Sequence, residues 1–571
     1  MRLINVSTML VEEFITANIP PYAILSHTWE EGEVSFHDMK TEAAKKKKGY
    51  SKIEMTCKMA AAEGLAYAWV DTCCIDKSSS AELTEAINSM FKWYKAATIC
   101  YVYLSDLESA AHMTMALPDC RWFSRGWTLQ ELIAPRDIGF FDQTWEYVGS
   151  KKDLLDEIEA ITGIDSIILD QTSSPSAVPV ARRMSWAAHR QTTREEDTAY
   201  CLLGLFDVNM PLLYGEGHKA FRRLQEEIVK NICDLSIFAW QTRPKQNEEL
   251  QCRYSGVLAE SPKDFESCGD ICRARMSTFH SDFSVTNRGI RMYTNLIALP
   301  IPYSQGWLCV QDLECCRGGL GRDEYYRLAI RLKICGPDLY VRDDPSSLLA
   351  IVPARENSYL HRTIYILSKI PENLPFLPFF SATREDSIIV GNRICAVKVG
   401  LPPGFRSFEA YPKSHFDSEE GVFFSPDTSP RSWCALNIEG NVSLPNTEIT
   451  LSCLVVCIDW NLLSQEMKGY ILDLSGCDRR LRSQFISGLL EGRHDVIPDV
   501  LKDSDYFGLP LQDSIMWDEP AGTVTLSLSV RKVYLPDVCM NEMHQVDITW
   551  NGASRLQPYG TFKKPQRLLG S

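Results

Sequence analysis

At 571 residues, 45% of them hydrophobic and 23% charged, the chain is too long for one core and ordinary in make-up for a globular protein, so two to four domains are expected. A net charge of -15 leaves no domain-wide basic surface, which excludes nucleic acid as a partner. No apolar run reaches roughly 18 residues and the opening MRLINVSTML lacks a secretory apolar core, so neither a membrane span nor export is expected.

Twenty cysteines are scattered without a CxxC. Cys268/Cys272 and Cys453/Cys457 have no matching second pair nearby, so no metal site is expected. Without an export signal the thiols read as reduced and buried, in a cytoplasmic protein. Lys45–Lys48, the single basic run, reads as a solvated helix start.

Residues 1–165 alternate short apolar runs with helical patterns. Tyr22–Ser26 is a first buried strand, and Ile53, Cys57, Ala60 and Ala61 form a helical stripe that stops at Gly64. Ala66–Asp71 is a second strand. A helix follows, opened by the capping box Ser79-Ser80-Ala81-Glu82, with Leu83, Ile87, Met90, Phe91 and Tyr94 on one stripe. Thr98–Leu104 and Asp137–Asp142 are the third and fourth strands. Strands alternating with helices predict an α/β domain: a parallel sheet covered by helices.

Between the last two strands lies Arg121–Pro135, RWFSRGWTLQELIAP. It reads as one short helix capped by Ser124 and ended by Pro135. Leu129, Leu132 and Ile133 share the face a core would claim; Trp127 and Glu131, four residues apart, stack on the other. An indole beside a carboxylate there makes a pocket wall, or simply a half-buried Trp next to a solvated Glu. The topology brings the pocket level with that simpler reading, because ligands in open parallel sheets bind beyond the carboxyl ends of the strands. Those ends carry Ser26-His27-Thr28-Trp29 and Asp71 through Asp76.

Residues 166–235 read as a helical extension. Gln171–Val180 is a Ser/Pro-rich connector, Ser185–Phe206 a helix diving into a core, and Tyr214-Gly-Glu-Gly217 a turn before the helix Lys219–Asn231. Residues 236–571 change to period-two runs: Asp282–Thr286, Ile290–Leu296, Arg327–Ile334, Arg362–Ile366, Cys395–Val399, Trp433–Ile438, Glu448–Ile458 and Val524–Val530. Asn287-Arg288-Gly289 reads as a hairpin turn. An all-β region is expected, one sandwich or two, with no catalytic spacing in it and a binding or regulatory role by default.

YAILSHTWEEGEVSF, AWVDTCCIDK, MFKWYKAA and RWFSRGWTLQELIAP, in this order, resemble the motif series of the fungal heterokaryon-incompatibility (HET) domain. MSWAAHRQTTREEDTAYCLLGLFDVNMPLLYGEGHKAFRRLQEEI is similar to the segment that follows this domain in the HET-E/HET-D type. No Walker A sequence occurs, so that type's nucleotide-binding region is not expected here.

The resemblance implies a trigger of programmed cell death on fusion of unlike hyphae, with self-association and an unknown protein trigger as partners. The HET domain also resembles, remotely, the TIR domain, which implies a TIR-like, flavodoxin-like sheet. Some TIR domains cleave NAD+ at the nicotinamide–ribose bond, with a Trp four residues before a catalytic Glu; Trp127 and Glu131 match that spacing. By this resemblance Glu131 is the catalytic group. Ser26, His27, Trp29, Asp71, Arg125 and Trp127 are substrate-binding candidates, and NAD+ is a substrate rather than a cofactor. A non-catalytic self-associating module, with Trp127–Glu131 as interface anchor, is the competing expectation. A third is an α/β domain held inactive by the β region.

Overall fold

A computed structural model describes residues 1–370 apart from 15–17, 109–115, 244–253, 275–281, 301–306, 319–325, 337 and 352–358, and beyond 370 chiefly the strands lying between 394 and 551. The N-terminal sheet contains β1 (Arg2–Asn5), β2 (Val11–Glu13), β3 (Tyr22–His27), β4 (Tyr67–Trp69), β5 (Ile99–Tyr103), β6 (Ile138–Phe141) and β7 (Tyr147–Ser150). Their order across the sheet is β2-β1-β4-β3-β5-β6-β7.

The four predicted strands form the parallel centre, β4-β3-β5-β6. The fully parallel expectation is corrected at both edges: β1 runs antiparallel to β2 and β4, and β7 antiparallel to β6. These three edge strands are short and carry little apolar pattern, which is why periodicity misses them. The inner strands are buried along their length, as a strand covered on both faces must be.

Helix α1 (Tyr50–Ala62) lies against β3 and β4, and α2 (Asp71–Cys74) is a single turn directly after β4. In α3 (Ser80–Ala96) Ser79 caps as expected, its hydroxyl accepting from the Glu82 N–H at 3.4 Å. The other half of the capping box is missing, because the Glu82 carboxylate instead accepts from the Asp76 N–H and pairs with Arg2.

A separate turn, α4 (Arg121–Ser124), precedes the helix expected between Ser124 and Pro135, which is α5 (Thr128–Ile133) and starts later than expected. Ser124 ends the first instead of capping the second, its hydroxyl donating to Arg121 O at 2.9 Å. The break has a tertiary cause: Gln191 N–H donates to Ser124 O at 2.7 Å, and Gly126 N–H donates to Gln191 O at 2.8 Å. Beyond α5, the buried Lys151 ammonium donates to Leu132 O and Pro135 O at 3.3 and 2.6 Å, satisfying carbonyls at the helix end.

After α6 (Leu155–Thr162) and α7 (Ser166–Leu169) the extension contains α8 (Val180–Ser185), α9 (Asp197–Tyr200), α10 (Leu203–Phe206) and α11 (Lys219–Asn231). The last matches its predicted bounds. The long helix expected over Ser185–Phe206 is replaced by short turns, since its backbone is engaged with the α4–α5 junction.

The C-terminal region contains several β-sheets, and every predicted strand lies within or overlaps an observed one. One eight-stranded sheet is centred on Gly289–Pro300 and Tyr359–Ile366, with Phe283–Thr286 joined to the former through the predicted turn. A six-stranded sheet including Ile394–Gly400 and a four-stranded sheet including Trp433–Leu444 follow. No helix among the described residues is long and apolar enough to cross a membrane.

Two large cores result. The first runs without interruption from Leu3 to Ile366, through the α/β sheet, the extension and the eight-stranded sheet. The second, from Val397 to Ile548, lies between the six- and four-stranded sheets. In the first, Arg342 is fully buried, donates to Phe238 O and Trp240 O at 3.0 and 2.5 Å, and stacks on the Trp240 ring at 4.0 Å.

The approach of α10 to α3 is close enough to require glycine: a Cβ on Gly204 would lie 2.1 Å from Phe91 Cβ. Gly204→Ala is expected to cost about 1–3 kcal/mol through overpacking, read as a lower urea midpoint in tryptophan fluorescence.

Candidate functional site

β3 ends in Ser26 and His27, both buried, so its polar end is delivered into the protein instead of to solvent. Ser26 Oγ accepts from the Trp122 indole N–H at 2.8 Å and donates to Glu131 Oε2 at 2.5 Å. Strand end, α4 and α5 are thereby tied at one oxygen atom. Glu131 is 7% exposed, where the sequence pattern puts it on a face the core leaves free. Every residue of α5 is buried, because the extension covers the side that the sheet does not.

The Glu131 carboxyl is nevertheless at the floor of a cavity of about 300 Å³. Burial pushes its pKa up to about 8, from an ordinary value of 4.5. The Ser26 hydrogen bond, the Arg125 charge and Tyr94 favour the ionised form, while the Asp71 carboxylate opposes it. Loss of hydration wins, as it does for acids held in apolar walls. The shift is larger than a wet site would give.

His27, Trp29, Asp71, Arg125 and Trp127 line the same cavity. Six of the seven candidates thus share one space, and Ser26 reaches it through Glu131. At the mouth, half-exposed Trp29 donates its indole N–H to Asp71 Oδ2 at 2.8 Å and carries the Lys77 ammonium 3.4 Å above its ring. Asp71 Oδ1 is buried without a partner, an acceptor still available to a ligand donor. His27 faces away in part, its Nε2 3.7 Å from Glu33 Oε1. Burial works against the Glu33 charge, but His27 and Lys52 hold its carboxyl down at about 2.

Four further lining residues, Thr193, Arg194, Asp197 and Tyr214, come from the segment read as a helical extension and were not among the site candidates. Asp197 Oδ1 accepts from the Tyr214 hydroxyl at 3.0 Å, and the Arg194 guanidinium sits 4.5 Å from the Tyr214 ring centre. Burial raises the Asp197 pKa, with hydrogen bonds from Tyr214 and Trp127 pulling the other way. No local spacing signals this wall, since its members come from two turns brought together only by the fold. Lys77 was legible in principle, as a cation directly after the Asp71–Asp76 stretch.

Three cations (Lys77, Arg125, Arg194) and three carboxyls (Asp71, Glu131, Asp197) therefore surround a space partly walled by Ile75, Met90 and Trp127. The arrangement can hold a ligand bearing both anionic groups and a planar ring. Among the described residues no three His, Cys, Asp or Glu side chains converge as metal ligands.

Comparison with known proteins gives the site a lineage. Residues 22–116 match the family model "Heterokaryon incompatibility protein (HET)", and residues 219–303 match a domain of unknown function, DUF8212. Over 260 residues the chain is 45% identical to the vegetative incompatibility protein HET-E-1 of Podospora anserina, a stretch that covers 43% of this chain and 19% of that protein. No solved structure matches. By the family match and this identity, the chain belongs to the HET-domain proteins, its N-terminal part being of the HET-E type.

Proposed function

We propose that this protein is a cytosolic effector of heterokaryon incompatibility, and that its α/β domain, TIR-like in fold, kills by cleaving NAD+ at the nicotinamide–ribose bond. The observation that carries the reading is that buried Glu131, its carboxylate bonded by the Ser26 hydroxyl, lines a cavity together with the indoles of Trp29 and Trp127. A space of about 300 Å³ accepts the nicotinamide riboside end of the dinucleotide, with the phosphates left to the cations at the mouth.

The chemistry asks little of the protein. The C1′–N bond breaks with its electron pair going to the nicotinamide, which leaves neutral and needs no acid. Positive charge develops on the ribose, and water adds to C1′ with loss of a proton. A carboxylate facing the ribose stabilises that charge in a site from which water is largely excluded. Trp127 stacks on the departing ring, and the free Asp71 Oδ1 accepts from a ribose hydroxyl or the carboxamide. Binding a cationic ring beside Glu131 favours its ionised form, so the substrate itself charges the group that acts on it. Self-association and a protein trigger regulate the reaction, and the two sheets around the second core act as a sandwich-type sensor or regulator.

In the purified full-length chain Glu131→Gln is expected to lower nicotinamide release by about 100-fold or more. The same variant expressed in a fungal host is expected to lose toxicity. A wild type that releases no nicotinamide, at high concentration and in assembled form, rules out the enzyme and leaves the adhesive module.

The pH profile carries a signature of the buried acid. Because the free site needs Glu131 ionised, kcat/KM is expected to rise with pH through about 8. The corresponding inflection in kcat lies lower, since the bound cation favours the carboxylate. Asp71, Arg125, Tyr94, Cys100 and Arg190 all act on this titration. Stability moves the opposite way. Between 4.5 and about 8 the folded state holds a proton that the unfolded chain has released, so stability falls as pH rises. Glu131→Gln is expected to flatten that decline in thermal unfolding.

A further inference from the structure

The turn that presents Arg125 and Trp127 is held almost entirely from outside the segment matched by the HET family model. Gln191 bonds the backbone on both sides of Arg125, as described above, and a Cβ on Gly126 would meet Thr192 Cγ2 at 2.5 Å. The Arg190 guanidinium donates to Arg125 O at 2.8 Å and Thr128 Oγ1 at 2.9 Å, fixing the first residue of α5. Asp197 accepts from the Tyr214 hydroxyl, and the Trp127 indole is close enough to lower its pKa. These attachments come from residues 190–214, and the same segment places exposed Arg194 on the cavity wall.

We infer that residues 190–214 are the second half of the ligand site: Asp197 is a positioning residue for the Trp127 indole, and Arg194 contacts the anionic part of the dinucleotide. This rests on the proposed NAD+ chemistry only for the identity of the ligand. A carboxylate anchored by a tyrosine hydroxyl, and lining the same cavity as the stacking indole, limits the angles that ring can take. An exposed arginine lying 4.5 Å from that tyrosine's ring lines the same cavity with its donors not engaged by a carboxylate among the described residues, so it can meet the pyrophosphate of a nucleotide held against Trp127. The Lys77–Trp29 pair lines the same cavity, so its lining offers cations from two separate segments besides Arg125.

The test uses the full-length chain and separates binding from turnover. NAD+ affinity is measured calorimetrically on the Glu131→Gln background, and KM and kcat on the otherwise wild-type protein. Arg194→Glu is expected to weaken NAD+ binding and raise KM about 10-fold or more, with kcat within about twofold, because the phosphate contact is the same in ground and transition states. Arg194→Lys restores part of the affinity. Asp197→Ala is expected to lower kcat/KM about 10-fold, and Asp197→Asn, which keeps an acceptor for the indole, to recover most of it.

Nicotinamide riboside, which lacks the pyrophosphate, is expected to bind wild type and Arg194→Glu alike. Lys92→Glu, an exposed charge reversal on α3 outside this cavity, controls for net charge and leaves every value unchanged. Equal NAD+ affinity in Arg194→Glu and its parent overturns the assignment of Arg194, even where Glu131→Gln has abolished turnover and the proposed reaction stands. Wild-type kinetics in Asp197→Ala overturn the positioning role. Absence of nicotinamide release with Arg194-dependent NAD+ binding removes the reaction and keeps the site; absence of binding in every variant removes both.

Discussion

The hydroxyl of Ser26 is the joint on which this domain is assembled around its cavity. It lies at the carboxyl end of a central strand, takes the indole hydrogen of Trp122 and gives its own to Glu131. It donates once and accepts once, both with elements that arrive from across the chain, and neither it nor Trp122 is exposed to solvent. An unpaired donor or acceptor in such a position costs of order 1–3 kcal/mol, so the three groups hold one another in a single geometry. Glu131 is thereby kept where apolar walls work against its charge. A fold that buries an ionisable acid at the bottom of an open space accepts a stability loss that inert packing would avoid.

Much of this was legible in the residues. The four central strands follow from short apolar runs, and the clustering of Ser26, His27, Trp29 and Asp71 follows from where a parallel sheet must put its strand ends. The pairing of Trp127 with Glu131 was visible as a four-residue spacing. The burial of Glu131 was not, because the second covering layer comes from residues 190–214, whose route depends on Gly126 and Gln191 meeting in space. The same contact bears on both helix expectations: it holds Arg125 extended between Ser124 and Gly126, so α5 starts at Thr128, and it engages the backbone of Gln191 within Ser185–Phe206. Local propensity has no access to a backbone hydrogen bond made across 65 residues of chain, such as Gly126 to Gln191.

The cavity also illustrates how a mixed-charge site is built without ion pairing it away. Arg194 lies against a tyrosine ring and Lys77 against an indole, so neither is pressed onto the nearby carboxyls. Aromatic faces hold cations by weak attraction while leaving their hydrogen-bond donors free. Acidic groups beneath are occupied by hydroxyls and indole N–H groups instead. Opposite charges can then coexist within a few side-chain lengths, each still able to meet a ligand.

The unbroken interior from Leu3 to Ile366 bears on how such genes can be shuffled. A crossover between two alleles at the end of the recognised HET segment, residue 116, would join halves of one hydrophobic interior whose packing had diverged separately. A crossover between Ile366 and Val397 would instead exchange an intact interior for another. Variation imported by recombination is therefore tolerated best in the C-terminal sheets, which leaves the N-terminal two-thirds to change by single substitutions that its neighbours can absorb.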